Sequence, residues 1–229
     1  MLLNSRCAGC HRAGPVLCRA CRFALVSPPN MAHSHDVVSA VPFAGRPRDV
    51  LLGFKYGNRR QLAHHFAGLL VNRLMHAGLD GSDFDVVTWA PTSRAHRQRR
   101  GFDQAEVVAR RVAAQLGVPC RRLLERDRSS VAQTGLARIE RLHGPIFRPS
   151  PAVRGKRVLV IDDVVTTGST LRSASAALRQ GGAASVQRAA VATTPALPTS
   201  RKNLGLQPQH RPASNRPVSK VTALHPRAA

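Results

Sequence analysis

Aromatic residues are scarce: seven Phe, one Tyr and one Trp in 229 residues. Aliphatic side chains must therefore fill any core. There are also too few rings for a platform of stacked aromatics of the kind that grips single-stranded nucleic acid. Acids are scarce too, 12 against 35 Lys and Arg, giving a net charge of +23. That balance disfavours acidic surfaces and implies anionic partners such as phosphate, pyrophosphate or nucleic acid. No apolar run approaches the ~20 residues of a membrane span. The stretch Met1–Cys7 lacks the apolar region of a signal peptide. A cytoplasmic protein without membrane insertion is expected. Hydrophobic residues make up 43% of the chain, enough for one α/β domain with something small beside it.

Cysteine is rare but concentrated. Four of the five lie in Cys7-Ala8-Gly9-Cys10 and Cys18-Arg19-Ala20-Cys21. Two adjacent C-x-x-C knuckles place four thiolates around one tetrahedral Zn²⁺, with His11 as a spare ligand. Flanking arginines help keep the sulfurs deprotonated. Cys120, after Pro119, reads as a small buried hydrophobe.

The richest stretch is Val158 to Leu171, Val-Leu-Val-Ile-Asp-Asp-Val-Val-Thr-Thr-Gly-Ser-Thr-Leu. Val158–Ile161 reads as a buried parallel strand. Asp162 and Asp163 follow at its carboxyl end, where open α/β sheets bind ligands. Thr166-Thr167-Gly168-Ser169-Thr170 then opens a helix with Leu171, Ala174, Ala177 and Leu178 on one face. A helix N-terminus presents unpaired amides and the positive dipole end, and so holds phosphate. Carboxylates suit neighbouring sugar hydroxyls. A phosphate cradle beside an acidic pair suits a sugar phosphate. The string resembles the 5-phosphoribosyl-1-pyrophosphate (PRPP) motif of the type I phosphoribosyltransferases at every position. The resemblance makes Asp162 and Asp163 the candidate catalytic residues. It assigns Val164, Val165, Thr166, Thr167, Gly168, Ser169 and Thr170 to the ribose 5-phosphate, with Mg²⁺ accompanying PRPP.

Three parts are expected: a Cys₄ zinc module over 1–27, a phosphoribosyltransferase-like α/β domain over 30–195, and a disordered basic tail over 196–229. The tail is rich in proline and holds no acid. Within the main domain, Leu62, Phe66, Leu69, Leu70 and Leu74 predict a first helix over about 60–76. A strand is expected over 85–89 and a loop from Ala90 to Phe102. A helix follows from Asp103, with Glu106 completing a capping box. Its core face is Ala105, Ala109, Val112 and Leu116, and Gly117 ends it. A short strand near 120–124 and a polar segment from Glu125 to Gly144 come next; that segment is a candidate to close over the site. Gly181-Gly182 ends the motif helix, and a last strand spans about 185–192. Such alternation implies a mostly parallel sheet.

The loop Ala90–Phe102 carries Arg94, Arg97, Arg99 and Arg100. Lying between a strand end and a helix start, it shares a rim with the acidic pair, where arginines would neutralise a departing pyrophosphate. The chain is also similar to the ComF family, phosphoribosyltransferase-like proteins linked to DNA uptake. Both C-x-x-C pairs, Phe54-Lys55-Tyr56-Gly57, Arg99-Arg100-Gly101-Phe102-Asp103-Gln104-Ala105 and the PRPP motif carry that similarity, and Gln133-Thr134-Gly135-Leu136 with Glu140-Arg141 fits it. The family commonly has Asn where Asp103 stands, and an Asn in the region of His143-Gly144. Lys55 joins Arg94, Arg97 and Arg100 as a pyrophosphate candidate. The resemblance implies phosphoribosyl transfer to an unidentified acceptor. The alternatives are a non-catalytic adaptor for single-stranded DNA in uptake or repair, working with a DNA-uptake helicase, and a PRPP-sensing regulator.

Overall fold

Four strands form one parallel sheet, running from an edge strand at 38–42 through 185–193 and 157–165 to 86–89. The computed structural model describes residues 5–26, 37–127 and 144–195. The strands are β1 (Val38–Pro42), β2 (Val86–Trp89), β5 (Arg157–Val165) and β6 (Ser185–Thr193). A two-stranded antiparallel ribbon, β3 (Leu124–Arg126) with β4 (Phe147–Pro149), forms a separate small sheet. The helices are α1 (Arg19–Val26), α2 (Gly45–Tyr56), α3 (Leu62–His76), α4 (Arg94–Arg100), α5 (Gln104–Leu116) and α6 (Ser169–Gln180).

Period-two alternation in β5 decides the layers. Leu159 and Ile161 join a core with α2, α3 and α5. Val158 and Val160 join a second core with Leu171, Ala174 and Leu178 of α6 and Phe147 of the ribbon. Both faces are thus covered by helix, which is why the central strand reads as an unbroken apolar run. Cys7, Ala8, Leu17, Cys21 and Leu25 belong to the first core, so residues 5–26 share their interior with the sheet domain.

Several expectations shift. The unit β1-α2 had no counterpart in the sequence reading. Gly45, Pro47 and Gly53 dilute its periodicity, yet Pro47 sits in the first turn, where its missing amide costs no helical bond. Phe54-Lys55-Tyr56 is therefore the last turn of α2, not a lead-in to α3. The expected loop 90–102 contains helix α4, capped by Ser93, whose Oγ accepts the His96 amide, and ended by Gly101 at φ 75°. With no apolar stripe, seven residues gave no helical signal. Strand β5 runs on through Asp162 and Asp163 to Val165. The strand expected at 120–124 is displaced to Leu124–Arg126, with Cys120 forming a lone parallel bridge to Val87. Glu125 and Arg126, placed in the polar segment, are strand residues; 128–143, like the tail 196–229, fall outside the described residues. No helix among the described residues is long and apolar enough to cross a membrane.

Candidate functional site

The acidic pair sits where the pleat changes hand. Ile161 and Val164 both touch the α3/α5 core, three residues apart, so alternation breaks between them. The amide of Asp163 donates to Asp162 Oδ1 at 2.7 Å. Asp163 Oδ2 meets Lys55 Nζ at 2.9 Å, with both side chains mostly buried. Lys55 is thus engaged with the acidic pair. Asp162 keeps partial solvent access but is packed closely by protein atoms. That desolvation, with the Asp163 charge beside it, outweighs the Asp163 amide and Lys55 and holds its carboxyl up at about 8.

The turn after β5 follows directly. Val164 and Val165 point into the two cores, leaving only their backbone to a ligand, and the Val165 carbonyl accepts the Thr194 amide. Thr166 and Thr167 are exposed. Gly168 caps α6 at φ 75°, a left-handed turn that glycine adopts without penalty. Thr167 Oγ1 donates to Ser169 Oγ at 3.0 Å and accepts the Ser169 amide at 3.4 Å. Arg172, one turn into α6, donates from Nη1 to the Thr167 carbonyl at 2.7 Å. The sequence reading did not single out Arg172. Its signal was a cation four residues after the loop glycine, on the helix face that folds back over the loop. Gly144 also comes here, its Cα so placed that a Cβ would stand 2.8 Å from Ser173 Oγ.

The arginines lie on the neighbouring rim. Ala90 donates its amide to the Ile161 carbonyl, so the chain leaves β2 level with the acidic pair and enters α4. Arg97 stands 4.0 Å from Glu106. Arg100 donates to Gln104 Oε1 at 3.0 Å and lies over the Tyr56 ring at 5.3 Å. Among the described residues, the buried Arg100 Nε and Gln104 Nε2 have no hydrogen-bond partner. Arg94 is exposed at the start of α4. Asp103 caps α5 as expected, accepting from Ala105 and Glu106. Glu106 holds Arg110 at 2.9 Å in place of the reciprocal capping-box bond.

At the other end, the four sulfurs of Cys7, Cys10, Cys18 and Cys21 lie within 4.8 Å of one another. Cys10 and Cys18 are 3.7 Å apart; a Zn–S bond of about 2.3 Å implies a tetrahedral edge of about 3.8 Å. Burial pushes the Cys7 thiol up, but amides of Cys18, Cys10 and Gly9 and the Cys21 thiol outweigh it, bringing it to about 6. Burial and the neighbouring sulfurs push Cys21 upward. The donor set and spacing fit zinc. His11 is exposed and outside the cluster. Cys120 is half-buried, its thiol pushed up by burial to about 11.

Residues 103–204 match the phosphoribosyl transferase domain family. The DNA utilization protein YhgH of Escherichia coli O6:H1 is 29% identical over 160 residues, 66% of this chain and 69% of that protein. The protein of the same name from Salmonella typhimurium is 34% identical over 140 residues, 58% and 61% of the two chains. Competence protein F of Haemophilus influenzae is 29% identical over 109 residues, 45% and 48%. The chain is thus similar to ComF-type proteins over part of its length. Its fold is the type I phosphoribosyltransferase kind. A glutamine PRPP amidotransferase from B. subtilis shares 23% identity over 65% of this chain and 28% of its own, at a TM-score of 0.40. A purine phosphoribosyltransferase from Pyrococcus horikoshii shares 19% over 60% and 79%, at 0.39; likeness at that level adds no weight. In this chain, helices α2, α4 and α5 bring Lys55, Arg100 and Asp103 to the carboxyl edge of the sheet from segments far apart in sequence.

Proposed function

We propose that the chain binds PRPP with Mg²⁺ at the β5–α6 turn and transfers its phosphoribosyl group to an acceptor, releasing pyrophosphate. One observation carries the reading: an acidic pair held by Lys55 and a glycine-capped helix start lie within seven residues, Asp162 to Gly168. The α6 start, with Thr166, Thr167, Ser169, Thr170 and Arg172, would hold the 5-phosphate. Asp162 and Asp163 would hold the ribose hydroxyls, and the negative charge carried by the pair would offset the positive charge of an oxocarbenium-like state. The C1–oxygen bond to pyrophosphate breaks and its electron pair leaves with pyrophosphate. The acceptor supplies the pair for the new C1 bond and gives its proton to solvent. Bound Mg²⁺ would neutralise charge on the pyrophosphate. Arg97 and Arg100 would do the same from α4, and the unpartnered Arg100 Nε and Gln104 Nε2 supply donors for its oxygens.

A second reading is favoured by the relatives' names and by the exposed arginines of α4. In it the chain is an adaptor for single-stranded DNA, with a DNA-uptake helicase as partner, and PRPP serves as a regulatory ligand. A thiol-rich metal cluster suits a reducing compartment, so we place the protein in the cytoplasm.

Calorimetric titration with PRPP and Mg²⁺, followed by an acceptor screen for pyrophosphate release, tests the first reading. Replacing Arg97 and Arg100 by Ala separates the two. Loss of PRPP and pyrophosphate binding, by about 1–3 kcal/mol per charged contact, with ribose 5-phosphate binding retained, supports the pyrophosphate role. Unchanged PRPP affinity with weaker, less salt-dependent DNA binding supports the adaptor.

A further inference from the structure

The cysteine cluster and the acidic pair share one helix. The knuckle Cys7-Ala8-Gly9-Cys10 lies flat against α2. A Cβ on Gly53 would stand 2.6 Å from the Ala8 carbonyl oxygen, and a Cβ on Gly9 would stand 2.6 Å from Val50 Cγ2 and 3.0 Å from Cys21 Sγ. Each side thus presents a glycine where the other comes closest. Arg46 closes the contact by donating to the Gly9 carbonyl at 3.1 Å. Two residues beyond Gly53, Lys55 leaves the last turn of α2 for Asp163. Between them Phe54 is fully buried, its ring against Phe66 and Phe102. The last turn of α2 is therefore gripped on one side by the knuckle and on the other by the core. Little freedom remains in where Lys55 Nζ stands.

We propose that the metal-binding knuckle is the seat of α2, and that through this seat Lys55 acts as the positioning residue that orients Asp163 toward the ribose. The inference rests on the PRPP reading of the acidic pair and on a metal held by the four cysteines. It gives the cysteine cluster a part in the site that lies across the core from it. The charged groups acting on the acidic pair are Lys55 on α2 and Asp103 at the start of α5, and His96 on α4 feels Lys55 together with Arg99, Arg100 and Arg126. Lys55 is in salt-bridge contact with the pair. Loss of its charge leaves two close carboxyls to share one proton more tightly, which shifts their titration upward.

The test uses the full chain with Lys55→Met, Lys55→Arg, Gly53→Ala and the double variant Gly53→Ala/Lys55→Met. Zinc content and PRPP affinity with Mg²⁺ are measured for each from pH 6 to 9. Lys55→Met should keep its zinc, lose about tenfold or more in PRPP affinity and move the pH profile upward. Lys55→Arg should recover most of both. Gly53→Ala, with Lys55 intact, should lose affinity in the same direction. The double variant should bind no worse than Lys55→Met, because the two changes act through one contact. Wild-type affinity in Gly53→Ala, or losses that add, would overturn the inference. Where Gly53→Ala does not fold, Val50→Ala loosens the same seat without a clash. Carboxyl ¹³C resonances of Asp162 and Asp163 need no ligand. Their titration should move in Gly53→Ala as in Lys55→Met. A wild type that fails to bind PRPP refutes the functional reading alone, whereas an unmoved carboxyl titration in Gly53→Ala refutes the coupling alone.

Discussion

Asp103 and Thr92 are joined by a hydrogen bond of 2.9 Å, in which the buried carboxylate Oδ2 accepts the Thr92 amide. The other oxygen, Oδ1, accepts the amides of Ala105 and Glu106. One side chain therefore caps α5 and ties down the segment leaving β2, from which the arginine helix grows. Only a carboxylate offers an acceptor on both sides.

That division predicts a graded series. Asp103→Ala should lose the cap, about 1 kcal/mol, and orphan the Thr92 amide, about 1–3 kcal/mol more. Asp103→Asn, with one oxygen, should keep one of the two contacts and fall between. Urea denaturation of the three proteins gives the order. Equal stability of the Asn and Asp forms would mean that the Thr92 contact contributes nothing.

Gly168 should tolerate no ordinary side chain. At φ 75° an alanine is strained by about 1–2 kcal/mol. Its Cβ would also stand 3.0 Å from Arg172 Nη1, disturbing the hold on Thr167. Gly168→Ala should therefore lower both the melting temperature and the affinity for ribose 5-phosphate. Asn, which visits the left-handed region more readily, should do less harm.

Stability should depend on pH through Asp162. Its carboxyl is held up at about 8, by burial first and Asp163 second. Between about pH 4 and pH 8 the folded chain keeps a proton that the unfolded chain releases. This contribution is complete at low pH and is lost as the pH rises through that window. Asp162→Asn removes the proton. Its stability curve should be flatter than that of the parent from pH 4.5 to 8.5; two parallel curves would place the titration elsewhere.

Metal analysis of chelator-free protein should find close to one zinc per chain. Stripping it should destabilise the fold, since Cys7 and Cys21 sit inside the first core. Cys120→Ser should leave the zinc content unchanged, because Cys120 lies outside the cluster. Four freely titrating thiols in native protein would contradict the zinc site.

Much of the site could be read from local pattern. The turn from Val158 to Leu171 is contiguous, so its apolar run, acids and glycine signal strand, ligand edge and helix start without reference to anything distant. The C-x-x-C pairs are equally local, and four sulfurs at that spacing have few other ways to converge. Asp103 declared itself as a cap because capping is decided within four residues.

What local pattern did not hold was partnership. Lys55 and Asp163 are 108 positions apart, and only the fold that brings the last turn of α2 to the carboxyl end of β5 makes them an ion pair. Nothing in the sequence around Lys55 signals that pairing. The arginines of α4 read as loop because a seven-residue helix without an apolar stripe has no periodicity to show. Asp162 and Asp163, identical in sequence context, differ because one carboxyl meets an ammonium group and the other meets a crowded interior. Residue type and spacing determined which chemistry is present. Which group faces which, and so which acid keeps its proton, was decided by tertiary packing, since desolvation and charge pairing depend on neighbours in space.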